Sequence, residues 1–492
     1  MTLSLRLRQH ARNRPRKAAI VEPTRSIDYA QLDRMVDFSC HALRAKGIER
    51  GQLVGLSLRD RAEYLVLLLA MSRLGAVVLP LDPRWTNAET QGVCDNFGAS
   101  RVLCDRASGD SSWTPLHDSE FGESAEAYDD PEVGLHSPML LSLSSGTTGL
   151  PKGPRVSQGK FIERFMIYWI DLGLNAADRF VTATPLYFGG GRGFALAMIY
   201  AGGSSLLLCP PYKPEEFVEF VNRQQATSTF LVPTLLARLL AIAKDGEMQL
   251  PSMRALISSG AVLYAAEQRE IRRKISPNLY QYYSSTEGGG CTLLTPGAFE
   301  GHADSVGQPC FGVDVQVVDE NHQALPAGRV GRLRYRSAAS ADHYYKGDES
   351  AAFHDGYFYP GDLGEFDADG FLYLRGRSKD MIIRGGVNIY PSDIEAVVRQ
   401  HPSVIEATVV GVASKEYGED LAVAAVTHGP LDVEALRAHC VAVLARYKVP
   451  RYFLQFDELP KAGVGKIDKQ AVAAAVANRL AVQTPERTVQ SP

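Results

Sequence analysis

Residues 141–153 read LSLSSGTTGLPKG. Leu141 and Leu143 suit a buried strand, and the small residues Ser144 to Gly149 follow before Pro151, Lys152 and Gly153. Small side chains let backbone N–H groups come close to a polyanion, hydroxyls add donors, and a lysine adds a point charge. Such a stretch suits a triphosphate. It is not the G-x-x-x-x-G-K-[ST] loop of kinases and GTPases, because proline precedes Lys152 and glycine follows it. A flexible surface loop can share this composition, but the strand before it and the Pro-Lys-Gly after it favour a phosphate site.

The 492 residues exceed the size at which one core stops growing, so two or more domains are expected. Hydrophobic and charged contents of 45% and 22% are those of an ordinary globular protein. A net charge of −4 gives no electrostatic case for nucleic acid or an anionic membrane as partner. The 7 cysteines are scattered without a C-x-x-C spacing, which argues for a reducing, cytoplasmic setting and against a disulfide framework or zinc site. The apolar run 63–81 is broken by Ser72, Arg73 and Gly75, so a buried helix and strand fit it better than a membrane span. The basic N-terminus, MTLSLRLRQHARNRPRK, has the arginines of a transit peptide but runs straight into a strand at 18–21, and reads as a first helix.

Outward from the loop, helices and strands alternate. Before it, helices are expected at 29–46, 61–74 and 87–97, with strands at 53–58, 77–81 and 101–104. After it come strands at 180–184, 205–209, 228–232 and 255–258, with helices at 193–200, 214–224 and 234–244. Two such runs predict an α/β fold of two layered subdomains with a cleft between them. Short β segments at 305–345 predict a small β-rich subdomain. A smaller α+β unit follows, with a strand at 381–383, a helix at 391–399, strands at 407–412 and 422–426, and helices at 433–444 and 471–482. The expected domains are 1–378, a mobile 379–482, and a polar tail, 483–492.

Eight motifs stand in order: SSGTTGLPKG (144–153), PLYFGGG (185–191), SSGAVL (258–263), YSSTE (283–287), YPGD (359–362), GRSKD (376–380), RGGVNIYPSDIE (384–395) and PKAGVGK (460–466). Together they resemble the adenylate-forming superfamily of acyl-CoA ligases, luciferases and peptide-synthetase adenylation domains, from about residue 15 to residue 470. The resemblance implies that a carboxylate and ATP give an acyl-adenylate and pyrophosphate, and that a thiol then takes the acyl group. That chemistry needs alignment and neutralised charge rather than a protein nucleophile.

By this resemblance Thr147, Thr148 and Lys152, with Ser145 and Gly146 beside them, hold the phosphates. Glu287 and Thr148 serve Mg²⁺, a hard cation that takes few carboxylates alongside phosphate oxygens and water. Tyr283 stacks on adenine against Gly260–Ala261, Gln281 pairs with the base edge, and Ser285 and Thr286 line the nucleotide. Asp362 holds the ribose hydroxyls, and Arg377 contacts ribose or phosphate. Lys466 bridges the acid and the α-phosphate, which makes it, with Thr148 and Glu287, the catalytic set. Lys379 is the hinge at which the small domain rotates, and Arg384, Gly385 and Gly386 then face the cleft for coenzyme A.

The acid pocket is expected at Phe188, Tyr282, Ser284 and Gly288. Phe188 replaces the family's frequent His and Ser284 its frequent Gly, which favours an aromatic or short-to-medium acid over a long chain. Arg192, at the start of a helix, could pair with a second carboxylate of the acid, but is expected to snorkel to solvent. The expected activity is a carboxylic acid–CoA ligase using ATP, Mg²⁺ and coenzyme A. The alternatives are an enzyme loading a carrier protein, or a silent acyl-adenylate binder, and the oligomer, a homodimer included, stays open.

Overall fold

A computed structural model describes the chain except for residues 106–112, 124, 144–151, 209, 347–351, 415, 463–465 and 484–492. Ser145, Gly146, Thr147 and Thr148 therefore lie outside the described residues, as do Gly463 and Gly465. The chain divides into two compact units. The first holds Met1–Leu263, Glu267–Val315 and Arg334–Tyr359, and the second Tyr264–Ala266, Gln316–Leu333 and Pro360–Pro492.

The first unit is built on two mostly parallel sheets. In the larger, Leu279–Ser285, Ala255–Ser258, Ser228–Leu231, Arg179–Thr182, Ser204–Leu207 and Ala18–Val21 lie side by side and parallel. In the smaller, Arg101–Cys104, Leu53–Ser57, Val77–Pro80 and Pro138–Leu141 do the same. Every residue of Ser204–Leu207, Ser228–Leu231 and Ala255–Ser258 is buried, as expected for strands covered on both faces. The helix Ala62–Leu74 is buried all round, which is why its sequence is apolar without a polar stripe. It stops at Gly75, whose φ of +71° is left-handed and open to glycine at little cost.

The two α/β runs are not independent halves. Ile20 pairs with Ser205, so the N-terminal strand joins the sheet of the second run. The basic N-terminus is a helix, Leu3–Asn13, that buries Leu3, Leu7 and His10, and His10 Nε2 lies 2.9 Å from the Tyr200 carbonyl oxygen.

The second unit carries a sheet in which Gly418–Thr427 lies between Val404–Ser414 and Tyr452–Gln455. Strand alternation sends Val409 to a core with Ile394 and Leu436 on one face. It sends Val410 to a core with Leu454, Val472 and Val476 on the other. The first core takes the helices Pro391–Val398 and Val433–Val443, and the second takes Lys469–Gln483. In a further antiparallel sheet Asp362–Phe366 lies between Leu372–Arg377 and Gly331–Arg336, with Arg332 opposite Leu363.

Candidate active site

Ligands of open α/β sheets bind beyond the carboxyl ends of the strands, and the first unit gathers the expected residues there. Ser258 and Gln281 are register partners on neighbouring strands. One step on, Ser259 Oγ and Ser284 Oγ are 3.3 Å apart. Gly260 has φ +99°, a conformation few other residues tolerate. Gly260, Ala261, Gln281, Tyr283 and Ser284 thus share one sheet end. Gln281 Oε1 accepts from Gln268 Nε2 at 2.6 Å, so its carboxamide is already oriented.

The turn 285–288 is braced from all sides. Ser285 Oγ accepts from the Gly288 N–H at 2.8 Å and meets Tyr335 Oη at 2.6 Å. Arg164 donates to the Thr286 carbonyl at 3.0 Å, and the Ala341 N–H to that of Glu287 at 2.8 Å. Tyr344 Oη donates to Glu287 Oε1 at 3.0 Å. Glu287 is buried at 7% exposure, and no salt bridge reaches it among the described residues. The buried Arg164 guanidinium attracts it without an ion-pair contact, and a hard cation such as Mg²⁺ fits the oxygen donor it presents.

Tyr282 and Tyr283 point to opposite faces of their strand. Tyr282 is 4% exposed in the main core, edge-on to Tyr168 at 6.1 Å, and burial pushes its phenol pKa well up. Tyr283 is half-buried. Phe188 precedes the helix Gly189–Ala201 and packs against the same core. Gly288 faces the Tyr335 ring so closely that a Cβ would come within 2.2 Å of it.

The two sheets meet at Ser142, just past the strand Pro138–Leu141. Arg192 is 2% exposed and does not snorkel. It donates to Ser142 Oγ at 2.7 Å and to the Tyr187 carbonyl, partners that make burial tolerable, and burial lowers its pKa to about 10. The Leu186 N–H donates to Asp60 Oδ1 at 2.6 Å. Burial raises the Asp60 pKa to about 6 against that bond. Lys152, at the loop's exit, places Nζ 5.6 Å from the centre of the Tyr344 ring.

In the second unit Arg377 Nε is 3.1 Å from Asp362 Oδ1, and its Nη2 donates to the Pro360 carbonyl at 2.9 Å. Lys466 shares their electrostatic neighbourhood. Burial of its ammonium and then Arg377 lower its pKa, while Asp362 raises it. The side chain is nonetheless exposed overall, so the crowding bears on local charge and not on stability. Arg384 is turned inward, with Nε 3.0 Å from the buried Asp420 and Nη1 2.8 Å from the Tyr447 carbonyl oxygen. Gly385 and Gly386 form its hairpin turn at φ +58° and +81°. Lys379 is exposed on the short helical turn Ser378–Asp380.

Arg164, Tyr335 and Tyr344 are absent from the motifs. Their role comes from long-range contact, and neither 158–170 (QGKFIERFMIYWI) nor 331–345 (GRLRYRSAASADHYY) announces it.

Residues 7–345 match the model of the AMP-binding enzyme family, and residues 393–466 that of the AMP-binding enzyme C-terminal domain. The chain is 31% identical to an indoleacetate–CoA ligase of Aromatoleum aromaticum, covering 97% of this chain and 99% of that one. Among solved structures it resembles ATP-bound MatB from Rhodopseudomonas palustris, with TM-score 0.87 and 27% identity over 97% of this chain and 100% of that one. It also resembles o-succinylbenzoate CoA synthetase from Bacillus subtilis in complex with its acyl-adenylate, with TM-score 0.86 and 26% identity over 95% and 97%. The chain belongs to the AMP-binding enzyme family. Within it, the protein is an acid–thiol ligase.

Proposed function

We propose that the protein joins a carboxylic acid to coenzyme A in two steps, with an acyl-adenylate between them. Oxide is too poor a leaving group for a thiol to displace from a carboxylate, and AMP, which ATP supplies when bound, is a good one. Lys152 neutralises charge at the pyrophosphate end. Tyr283, against Gly260–Ala261, orients the base, and Glu287 offers a carboxylate to the metal. Asp362 holds the ribose, Arg377 contacts ribose or phosphate, and Lys466 offsets the charge that develops between the acid and the α-phosphate. Rotation of 379–482 about Lys379 exchanges Lys466 for the Arg384–Gly386 turn and admits the thiol.

The observation that carries this reading is the gathering of Lys466, Arg377 and Asp362 in one electrostatic neighbourhood. An ammonium in the field of the Arg377 guanidinium and the Asp362 carboxylate supports a role in meeting a developing negative charge. The aromatic surroundings of Tyr282 and Phe188 support an aromatic or short-to-medium acid. The free, buried cysteines among the described residues suit the cytoplasm. The experiment is an ATP–pyrophosphate exchange screen over aromatic, fatty and dicarboxylic acids, followed by detection of the CoA thioester and AMP. Exchange at background with every acid, or ADP in place of AMP, would overturn the proposal.

A further inference from the structure

Tyr344 lies where three parts of the site converge. Its backbone is a β-bridge partner of Pro154, and the next N–H, of Tyr345, donates to the Gly153 carbonyl at 2.9 Å. The residue is thereby fixed beside the exit of the phosphate loop. Its ring is 9% exposed, sits edge-on to Phe353 at 5.3 Å, and carries Lys152 Nζ 5.6 Å from its centre. Its hydroxyl reaches across to Glu287 Oε1 at 3.0 Å. Three residues earlier, the Ala341 N–H holds the Glu287 carbonyl, so one short segment grips both the backbone and the side chain of the acid.

A carboxylate that binds a metal through one oxygen gains from a donor fixed on the other, which sets its rotamer before the metal arrives. The aromatic face also favours a cation at the distance where Lys152 stands. We propose that Tyr344 is a positioning residue for the metal–triphosphate. It holds Glu287 Oε1, leaving Oε2 to the cation, and keeps the Lys152 ammonium on its ring face at the pyrophosphate end. The inference rests on the reading of Glu287 as the metal-binding acid.

Tyr344→Phe keeps the ring and removes only the hydroxyl. Mn²⁺ binding by the full-length protein, read by electron paramagnetic resonance with a non-hydrolysable ATP analogue, separates metal affinity from turnover. Tyr344→Phe is expected to weaken Mn²⁺ binding about tenfold, within the range of roughly 10–100-fold for losing a partner of a metal ligand. Metal-free binding of the analogue is expected to stay within about twofold. In a Glu287→Gln background the same change is expected to be silent, because a residue acting through Glu287 has nothing left to orient. Unchanged Mn²⁺ affinity in Tyr344→Phe, with Glu287→Gln impaired, would overturn the role of Tyr344 alone. Unchanged affinity in Glu287→Gln would overturn the metal reading of Glu287 as well. Equal loss of metal-free binding would reduce Tyr344 to packing.

Discussion

Arg192 Nη2 donates to Ser142 Oγ at 2.7 Å, joining the helix Gly189–Ala201 beside one sheet to the end of the strand Pro138–Leu141 in the other. The guanidinium is fully desolvated and hydrogen-bonded to a hydroxyl and carbonyls, with no carboxylate within salt-bridge distance among the described residues. Removing it strands those acceptors. Arg192→Ala is expected to destabilise the protein by about 2 kcal/mol, as a lower urea midpoint. Arg192→Lys should recover little, because an ammonium cannot reproduce the planar fork.

Asp60 makes stability depend on pH in the less common direction. Its pKa is about 6 in the fold, above the 3.8 of a free side chain, because burial penalises the charged form. Between these values the native state holds the proton that the unfolded state has lost. Stability from this residue is therefore fully present below about pH 4 and declines as pH rises through 6. Asp60→Asn keeps an acceptor for the Leu186 N–H and removes the buried charge. Urea unfolding should show the variant about 1–2 kcal/mol more stable at pH 7.5. The gain should fade towards pH 4, and a gain independent of pH would contradict the assignment.

Gly288 leaves no room for a side chain. A methyl group added there would stand 2.2 Å from the Tyr335 ring, so Gly288→Ala must displace either the ring or the turn that carries Glu287. Overpacking of this kind costs roughly 1–3 kcal/mol. A lower melting temperature together with weaker Mg–ATP binding is the expected outcome. A lower melting temperature alone would mean that the ring yields and the turn does not.

Ser284 carries its hydroxyl beside Ser259 at the sheet end expected to border the acid. Ser284→Gly should raise kcat/KM for bulkier acids relative to compact ones by about tenfold, the scale on which pockets discriminate small changes in size. An unchanged acid profile would remove Ser284 from the pocket.

The α/β alternation was legible because its helices and strands carry their own periodicity. Asn87–Phe97 and Arg101–Cys104 fall where the pattern puts them. Pairing was not, since the apolar run at 18–21 does not say which sheet it will enter. Among the expected residues, Glu287 stands before Gly288–Gly290, Asp362 after Pro360 and Gly361, and Lys466 after Gly463 and Gly465, so the sequence itself singles them out. Arg164, Tyr335 and Tyr344 instead act on the turn 285–288 from distant segments, so nothing beside them in the chain announces it. Arg192 misleads for a related reason: its partners are carbonyls and a hydroxyl rather than a carboxylate that patterning could suggest.

The two half-reactions call on different residues, and Lys466 is where they can be separated. Lys466→Ala should be assayed for ATP–pyrophosphate exchange with an accepted acid and, separately, for CoA thioester formation from supplied acyl-adenylate. Loss of one preorganised charge at the developing negative centre is expected to lower the first rate by about 10²–10³-fold. The second rate should remain within a few fold of the unmodified enzyme. Equal loss of both rates, or full exchange without the lysine, would contradict the assignment.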